Sequence, residues 1–446
     1  MPFVPASDKD REIMLSKIGV NDFEELIANI PEEVRYKGGM EFPKQLSEYE
    51  VTRLLHAYSI KNNSAFSHVC FMGGGAYERY IPSIVGDTIN RAEFRTAYTP
   101  YQAEVSQGTL QAMYEFQTMI CNLYDMDVAN ASLYDGGTAL AEAVLMATAI
   151  KRKKEVVYAG TVNPNYKEVV KSVTQGREFK FDDAVATDGT TDFDKLAELI
   201  NNNTAAVVVQ QPNFLGSIED VYKIEKLAHE KGALFIVAAD PFSVGVLEAP
   251  GNYNADIVVS EGQPLGIPLS FGGPYLGIFA CKKEFVRKIP GRLTGITKDL
   301  DGKRGFVLTL QTREQQIKRE KATSNICTNQ GLFMLAATVY METMGKSGIT
   351  EVAQQSFQKT HYLADELQKL NGFELLNTKP FVFEFAMKLP HDIKEVLDKA
   401  NDEGFLAGID VSEHSGVENT ILIAVTEVRT KKEMDDFVNF MKQFAS

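Results

Sequence analysis

Two short stretches of the sequence carry residue types that could hold a small molecule. Asp135-Gly136-Gly137-Thr138 comes directly before an apolar helical stretch, so its backbone N–H groups could bind a phosphate at a helix N-terminus. Asp240 closes the apolar stretch LFIVAAD, where a carboxylate could keep a heterocyclic nitrogen protonated. Both have a structural alternative, because Asp135 or Thr138 could be a plain helix cap and Asp240 a turn residue before Pro241.

Such groups are part of the plan of a pyridoxal-phosphate enzyme, which also needs a lysine to form the Schiff base. That lysine is expected in the loop after the next apolar stretch, ADIVVSE. The loop begins Gly262-Gln263-Pro264-Leu265, and the sequence has no Lys, Arg or His between Lys231 and Lys282. Lys282 and Lys283 lie one strand later and are better explained as solvated residues.

The chain is therefore predicted not to bind pyridoxal phosphate covalently at this position. What remains is a vestigial cofactor site, predicted to consist of Gly136, Gly137, Thr138, Asp240 and Gln263.

The elements that must position these residues alternate between apolar strands and helices from Val128 to Cys281. Continuous apolar strands with helices between them predict an α/β fold with a mainly parallel sheet covered on both faces. Ligands of such sheets bind beyond the carboxyl ends of the strands. We predict a helical arm over residues 1–65, a large α/β domain over 66–330 and a small α+β domain over 331–446, with residues 303–345 helical.

Composition narrows the function further. The 446 residues carry a net charge of −14, which argues against a nucleic acid or an anionic membrane as the main partner. No segment reads as membrane-spanning, and the N-terminal sequence MPFVPASDKDRE lacks the pattern of a secretory signal, so a cytoplasmic location is expected. The four cysteines are scattered and predicted to be reduced and mostly buried, and no metal site is proposed.

Several longer motifs, taken together, resemble the P-protein family of the glycine cleavage system, glycine dehydrogenase (decarboxylating). Within that family the chain is most similar to the N-terminal half, which forms subunit 1 of the split bacterial form. The resemblance runs from about residue 1 to the C-terminus. The motifs are GGGAYERYIP (73–82), YTPYQAEVSQG (98–108), SLYDGGTA (132–139), EGQPLGIPLSFGGPYLG (261–277) and LTLQTREQQIKREKATSNICTNQ (308–330).

The resemblance implies an aspartate-aminotransferase-like fold, fold type I of the pyridoxal-phosphate enzymes. It implies that the complex decarboxylates glycine on pyridoxal phosphate and passes the aminomethyl group to the lipoyl arm of H-protein. In the split form the Schiff-base lysine belongs to subunit 2, so the cofactor would be held covalently by the partner and the isolated chain would be inactive. An α2β2 heterotetramer is expected.

A lysine-free subunit can still line the active site of its partner. The candidate lining residues are Tyr98, Thr99, Tyr101, Gln102, Ser106 and Gln107, with Tyr77 and Tyr80 from the glycine-rich motif. Hydroxyl and amide groups could hold a small carboxylate without adding net charge. The alternatives are tyrosines that pack in an interface at the turn of Pro100, and a buried glycine loop that needs positive φ.

Two basic residues, Arg313 and Arg319, could pair with carboxylates of the partner or belong to one solvated helix face. For the whole protein, two other functions stay open. A self-sufficient pyridoxal-phosphate enzyme is disfavoured by the missing lysine, and a non-catalytic regulatory or binding protein that retains the fold is the main alternative.

Overall fold

The computed structural model describes residues 6–39, 41–43, 45–96 and 98–445. The chain forms two compact units, residues 1–62 and 63–446. The predicted domain boundary at residue 330 stays a prediction, and Met1–Pro5, part of the segment examined for a secretory signal, lie outside the described residues. In the described ranges, helices of sufficient length lack the apolar character needed to cross a bilayer.

The described residues of the first unit form three α-helices and one short 3₁₀ turn. Its first helix is capped by Ser7, which exchanges hydrogen bonds with Asp10, and ends at Gly19 in the left-handed region with φ of 89°. Ser47 and Glu50 form the same type of capping box on the third helix. The helices are α1 (Asp8–Ile18), α2 (Phe23–Leu26) and α3 (Glu48–Ser59).

The second unit contains the other helices and all strands of the described residues. The helices are α4 (Ser83–Ile89), α5 (Ala92–Arg95), α6 (Gln107–Tyr124), α7 (Gly136–Lys151), α8 (Pro164–Thr174), α9 (Phe193–Leu199), α10 (Val221–Glu230), α11 (Gln315–Lys318), α12 (Gly331–Gln368), α13 (Ile393–Asp402), α14 (Ser412–Ser415) and α15 (Lys431–Met441).

The strands are β1 (Val69–Cys70), β2 (Val128–Ala129), β3 (Glu155–Ala159), β4 (Lys180–Ala184), β5 (Thr204–Gln211), β6 (Leu234–Ala239), β7 (Ile257–Glu261), β8 (Gly277–Cys281), β9 (Leu293–Lys298), β10 (Arg304–Thr309), β11 (Glu374–Leu375), β12 (Glu384–Lys388), β13 (Phe405–Leu406), β14 (Ile409–Asp410) and β15 (Thr420–Ala424).

Seven strands form the large sheet in the order β2-β8-β7-β6-β5-β3-β4. The five strands from β7 to β4 are parallel, and β8 pairs antiparallel with both neighbours. Side chains alternate between two cores: Val207 and Val209 of β5 lie in one, and Ala206 and Val208 lie in the other. A sheet buried on both faces explains the continuous apolar strands, so the predicted α/β fold class is confirmed.

The prediction of helix over residues 303–345 is wrong at its start. Residues 304–309 form β10, which pairs antiparallel with β9. Phe306 and Leu308 are buried while Val307 between them is exposed, which is the two-residue period of a strand rather than a helical period. The next residues form only short helical turns up to Lys321, and the long helix α12 that begins at Gly331 is kinked at Gly345, where φ is 59°.

A four-stranded antiparallel sheet, in the order β11-β12-β15-β14, forms the core of the C-terminal part. Helices α12, α13 and α15 pack on it through apolar side chains such as Leu363, Val396 and Phe437. The thiols are less buried than predicted. All four are free, with Cys70 and Cys281 buried, Cys121 half-buried and Cys327 exposed.

Candidate functional site

The predicted vestigial site lies where the carboxyl ends of β6 and β7 approach the N-terminus of α7. Because β6 and β7 are parallel neighbours, the residues that follow them emerge at the same sheet edge. A small cavity that is open to solvent lies there. It is lined by Gly75, Tyr77, Tyr166, Gln210, Ala238, Ala239, Asp240, Pro241, Ser260 and Glu261.

Other groups of the same chain bond to the glycine loop at the start of α7 and pack against it. The Asp135 carboxylate accepts a hydrogen bond from the Thr138 N–H at 2.7 Å, and the Asp135 N–H donates to the Thr138 hydroxyl oxygen at 3.0 Å. A Cβ atom at Gly136 would lie 2.5 Å from the Tyr166 hydroxyl oxygen. Thr138 is therefore occupied as part of the helix cap, and the close approach of Tyr166 requires glycine at position 136.

Glu261, the last residue of β7, places its carboxyl group at this helix N-terminus. Its Oε2 accepts a hydrogen bond from the Gly136 N–H at 2.9 Å. Its Oε1 accepts from the N–H groups of Gln263 at 2.9 Å and Leu276 at 3.1 Å. Burial raises the pKa of Glu261 to about 8, an effect that the three N–H donors oppose.

Gln263 stands in the loop that was expected to carry the lysine. Its side-chain oxygen accepts a hydrogen bond from the Tyr77 N–H at 2.9 Å, and its side-chain nitrogen donates to the Tyr77 carbonyl at 3.1 Å. The same nitrogen donates to the Ile267 carbonyl at 2.7 Å. Gln263 is thus fully buried and ties its own loop to the glycine-rich segment that contains Tyr77.

Asp240 adopts the geometry of a turn residue. Its Oδ1 accepts hydrogen bonds from the N–H groups of Phe242 at 2.8 Å and Ser243 at 2.9 Å. Burial raises the pKa of this carboxyl group, and the positive charge of Arg79 opposes the rise. Asp240 still lines the cavity, with its Oδ1 already bound to backbone N–H groups.

These residues do not fit pyridoxal phosphate in this chain. In the glycine loop, Glu261 occupies the Gly136 N–H and Asp135 occupies the Thr138 N–H, and Tyr166 covers Gly136. The loop from Gly262 to Ile267 is buried and contains no lysine. The nearest lysine after it, Lys282, instead donates to the Asp256 carboxylate at 2.7 Å. The structure thus brings Gly136, Thr138, Asp240 and Gln263 to one edge of the sheet, where each is hydrogen-bonded within the chain.

The second group of predicted residues begins at a very exposed loop. Tyr98 is 87% exposed and Tyr101 is 58% exposed, and the Arg292 guanidinium lies 5.5 Å from the centre of the Tyr101 ring. Gln102 is exposed, and Thr99 is half-buried. These four residues form a surface whose aromatic rings are largely uncovered in the single chain.

The last two residues of this segment have other surroundings. Ser106 is half-buried and precedes α6 as its N-terminal flanking residue. Gln107 is committed to the fold: its side-chain oxygen accepts from the Phe306 N–H at 2.8 Å and its side-chain nitrogen donates to the Phe306 carbonyl at 2.9 Å. The amide of Gln107 therefore anchors β10 rather than facing solvent.

The glycine-rich segment separates the two remaining candidates. Tyr77 is buried and donates its hydroxyl hydrogen to Oε2 of Glu384 at 2.9 Å, whereas Tyr80 is 59% exposed. Gly74 and Gly75 have φ of 72° and 116°, which confirms that this segment needs positive φ. Of these two tyrosines, only Tyr80 is available to a partner in the single chain.

Sequence reasoning missed the acids and the arginine around this segment. Glu384 accepts from the Gly74 N–H at 2.5 Å, and burial raises the pKa of its carboxyl group to about 7. Arg79 is buried, with an ion pair of 2.7 Å to Glu427. The sequence does show Glu261 at a strand end and Arg79 between two tyrosines, but no local pattern indicates their distant partners.

Comparison with known proteins agrees with the fold and with the motifs. Residues 1–441 match the family model of the glycine cleavage system P-protein. The fold is that of fold type I pyridoxal-phosphate-dependent enzymes, and a distant structural neighbour is a glutamate decarboxylase from Lactobacillus brevis, with a TM-score of 0.67 and 14% identity, covering 94% of this chain and 96% of that chain. This neighbour supports the fold alone.

Closer matches define the family. A "probable glycine dehydrogenase (decarboxylating) subunit 1" of Chloroherpeton thalassium is 55% identical over 443 residues, covering 99% of this chain and 100% of the relative. A crystal structure of glycine decarboxylase (P-protein) of the glycine cleavage system in inhibitor-bound form has a TM-score of 0.92 and 40% identity, with full coverage of both chains. The chain belongs to the glycine cleavage system P-protein family, within the group named subunit 1.

Proposed function

We propose that this chain acts as subunit 1 of a heteromeric P-protein. Together with a subunit 2 that carries the Schiff-base lysine, it decarboxylates glycine and transfers the aminomethyl group to the lipoyl arm of H-protein. The observation that carries the proposal is the buried loop of Gln263. The chain belongs to an enzyme family, but this loop has no residue that can form the Schiff base. Pyridoxal phosphate is then covalently held by the partner, and the isolated chain is inactive.

The contribution of this chain is the surface that completes the partner's site. Tyr98 and Tyr101 expose large aromatic rings, and exposed tyrosines are typical of interfaces in which one end of the ring is buried and the other stays polar. Their hydroxyl groups, with Thr99 and Gln102 beside them, could hold the carboxylate of glycine without a counter-charge. A neutral environment suits a group that leaves as carbon dioxide.

Two copies of each subunit are the proposed assembly.

The proposal and its alternative, a non-catalytic protein that keeps the fold, predict different results in one experiment. The chain is purified alone and together with subunit 2. The visible absorbance of each sample is recorded with pyridoxal phosphate before and after borohydride reduction.

We expect borohydride-reducible absorbance only in the co-purified complex, together with carbon dioxide exchange that depends on glycine and H-protein. Reducible absorbance in the isolated chain would mean that another lysine of this chain binds the cofactor. A stable complex without exchange activity would support the non-catalytic alternative.

A further inference from the structure

We propose that the Glu261 carboxyl group is a built-in replacement for a phosphate anion at the N-terminus of α7. The chain thus satisfies its glycine loop with its own side chain, and the loop is complete without a cofactor. This inference rests on the geometry of the chain alone, so it can hold or fail independently of the proposed function.

The first argument is the set of donors around the carboxyl group. Gly136 is the first residue of α7, and the N–H groups of a helix's first turn have no partner within the helix. Gln263 and Leu276 add two N–H groups from the other side, so three backbone donors converge on one carboxyl group at 2.9 to 3.1 Å. Convergent backbone N–H groups at a helix N-terminus are the usual elements of a phosphate site.

The second argument is the position of the carboxyl group relative to the cavity. Glu261 and Ser260 form part of the cavity wall, and Tyr166 lines the same cavity from α8. Shortening the side chain at position 261 therefore frees the Gly136 N–H on the side from which Glu261 lines the cavity. A small anion from solution can then reach the N–H groups that the carboxyl group now occupies.

The test is a rescue experiment on the full chain with inorganic phosphate as the probe. Glu261→Ala is compared with Glu219→Ala, a matched control, because Glu219 is also buried and accepts a backbone hydrogen bond, from Thr191. The carboxyl oxygens of Glu219 accept from Thr191 and Asn213, which lie outside the helices, so this carboxyl group is not bound to the first turn of a helix. Melting temperatures are measured in millimolar phosphate and in chloride of equal ionic strength, which keeps the general effect of salt equal.

We expect Glu261→Ala to melt below the wild type and to recover by about 2–4 °C at saturating phosphate, because a ligand that binds only the folded state raises its stability. The wild type and Glu219→Ala should show no saturable response. Equal responses of Glu261→Ala and either of these proteins, or no response of Glu261→Ala, would overturn the proposal.

A second variant covers the case in which Glu261→Ala does not fold. Glu261→Gln fills the same space, but only the oxygen of its amide group accepts hydrogen bonds, so it cannot accept from all three N–H groups as the carboxyl group does. This variant should melt at a lower temperature than the wild type and gain nothing from phosphate. A saturable phosphate response of Glu261→Gln would contradict the proposal, because the site would then not be filled by the side chain at position 261.

Discussion

Arg79 shows at the scale of a residue how the glycine-rich segment is held. Its guanidinium group lies 2.7 Å from the Glu427 carboxylate and 4.1 Å from the centre of the Phe242 ring. The side chains of this ion pair are almost completely buried, at 1% and 8% exposure. The loss of one partner would leave a charge in the interior, where it cannot be solvated.

Replacement of this arginine should therefore be costly. Arg79→Ala is expected to lower the free energy of unfolding by about 3–5 kcal/mol, because Glu427 loses its buried counter-charge. The control is Arg91→Ala, which breaks an exposed pair with Asp87 and should cost less than about 1 kcal/mol. Urea denaturation of both variants measures the difference, and similar losses in the two would contradict the buried-pair interpretation.

The residues also show which site features a sequence can reveal. The cap formed by Asp135 and Thr138 joins residues three positions apart, so the local pattern was enough to include it among the alternatives. The hydrogen bond from Gly136 to Glu261 spans 125 positions, and the bond from Tyr77 to Gln263 spans 186. Such partners depend on the folded topology, which is why the sequence suggests Gln263 as a candidate but shows neither its bonds nor the contacts of Glu261.

At the scale of an element, the segment from Tyr98 to Val105 joins two different roles. Its two tyrosines are exposed, while Gln107 just beyond it is fixed to the backbone of β10. One end of this loop is therefore fixed in position, while its tyrosine side chains are not buried by other parts of the chain. This arrangement supports the proposal that the loop lines a site completed by another subunit.

The loop's hydroxyl groups can be tested in the assembled enzyme. Complexes that contain Tyr98→Phe or Tyr101→Phe are expected to show a several-fold higher KM for glycine, because each variant removes a hydrogen-bond donor but keeps the ring. Tyr222→Phe, an exposed tyrosine of α10, is the control and should leave the kinetics unchanged. Normal glycine kinetics in both loop variants would exclude direct contact with substrate.

Elements of the large sheet were predictable because their apolar residues are continuous and alternate with helices. The hairpin of β9 and β10 was not, because the six residues of β10 are followed directly by a long polar stretch. Phe306 packs against Tyr114 of α6 with ring centres 5.5 Å apart, a contact across nearly two hundred residues. The strand is thus stabilised by tertiary contacts that its short sequence pattern barely indicates.

At the scale of the whole molecule, the chain combines an enzyme fold with a sheet edge whose polar groups bond to one another. Beyond the carboxyl ends of β6 and β7, Glu261 and Gln263 are hydrogen-bonded within the chain, whereas Tyr98 and Tyr101 are exposed. Fold class and family follow from the sequence because they depend on long patterns. The role of each subunit depends on which surfaces meet in the complex, and the single chain shows which of its own surfaces are exposed.

Assembly with the partner subunit should therefore bury the exposed loop from Tyr98 to Val105. Val105 offers a test of this that avoids the candidate substrate-binding residues. Val105 is 79% exposed at the end of the loop, and Val173 on α8 is 42% exposed. Val105→Glu should weaken binding to the partner subunit by at least about tenfold, because a charge would enter the interface. Val173→Glu should bind normally, and both isolated chains should keep their melting temperatures since exposed substitutions change stability little. Titration calorimetry with the partner subunit measures this effect, and equal affinities of the two variants would place the interface elsewhere on the chain.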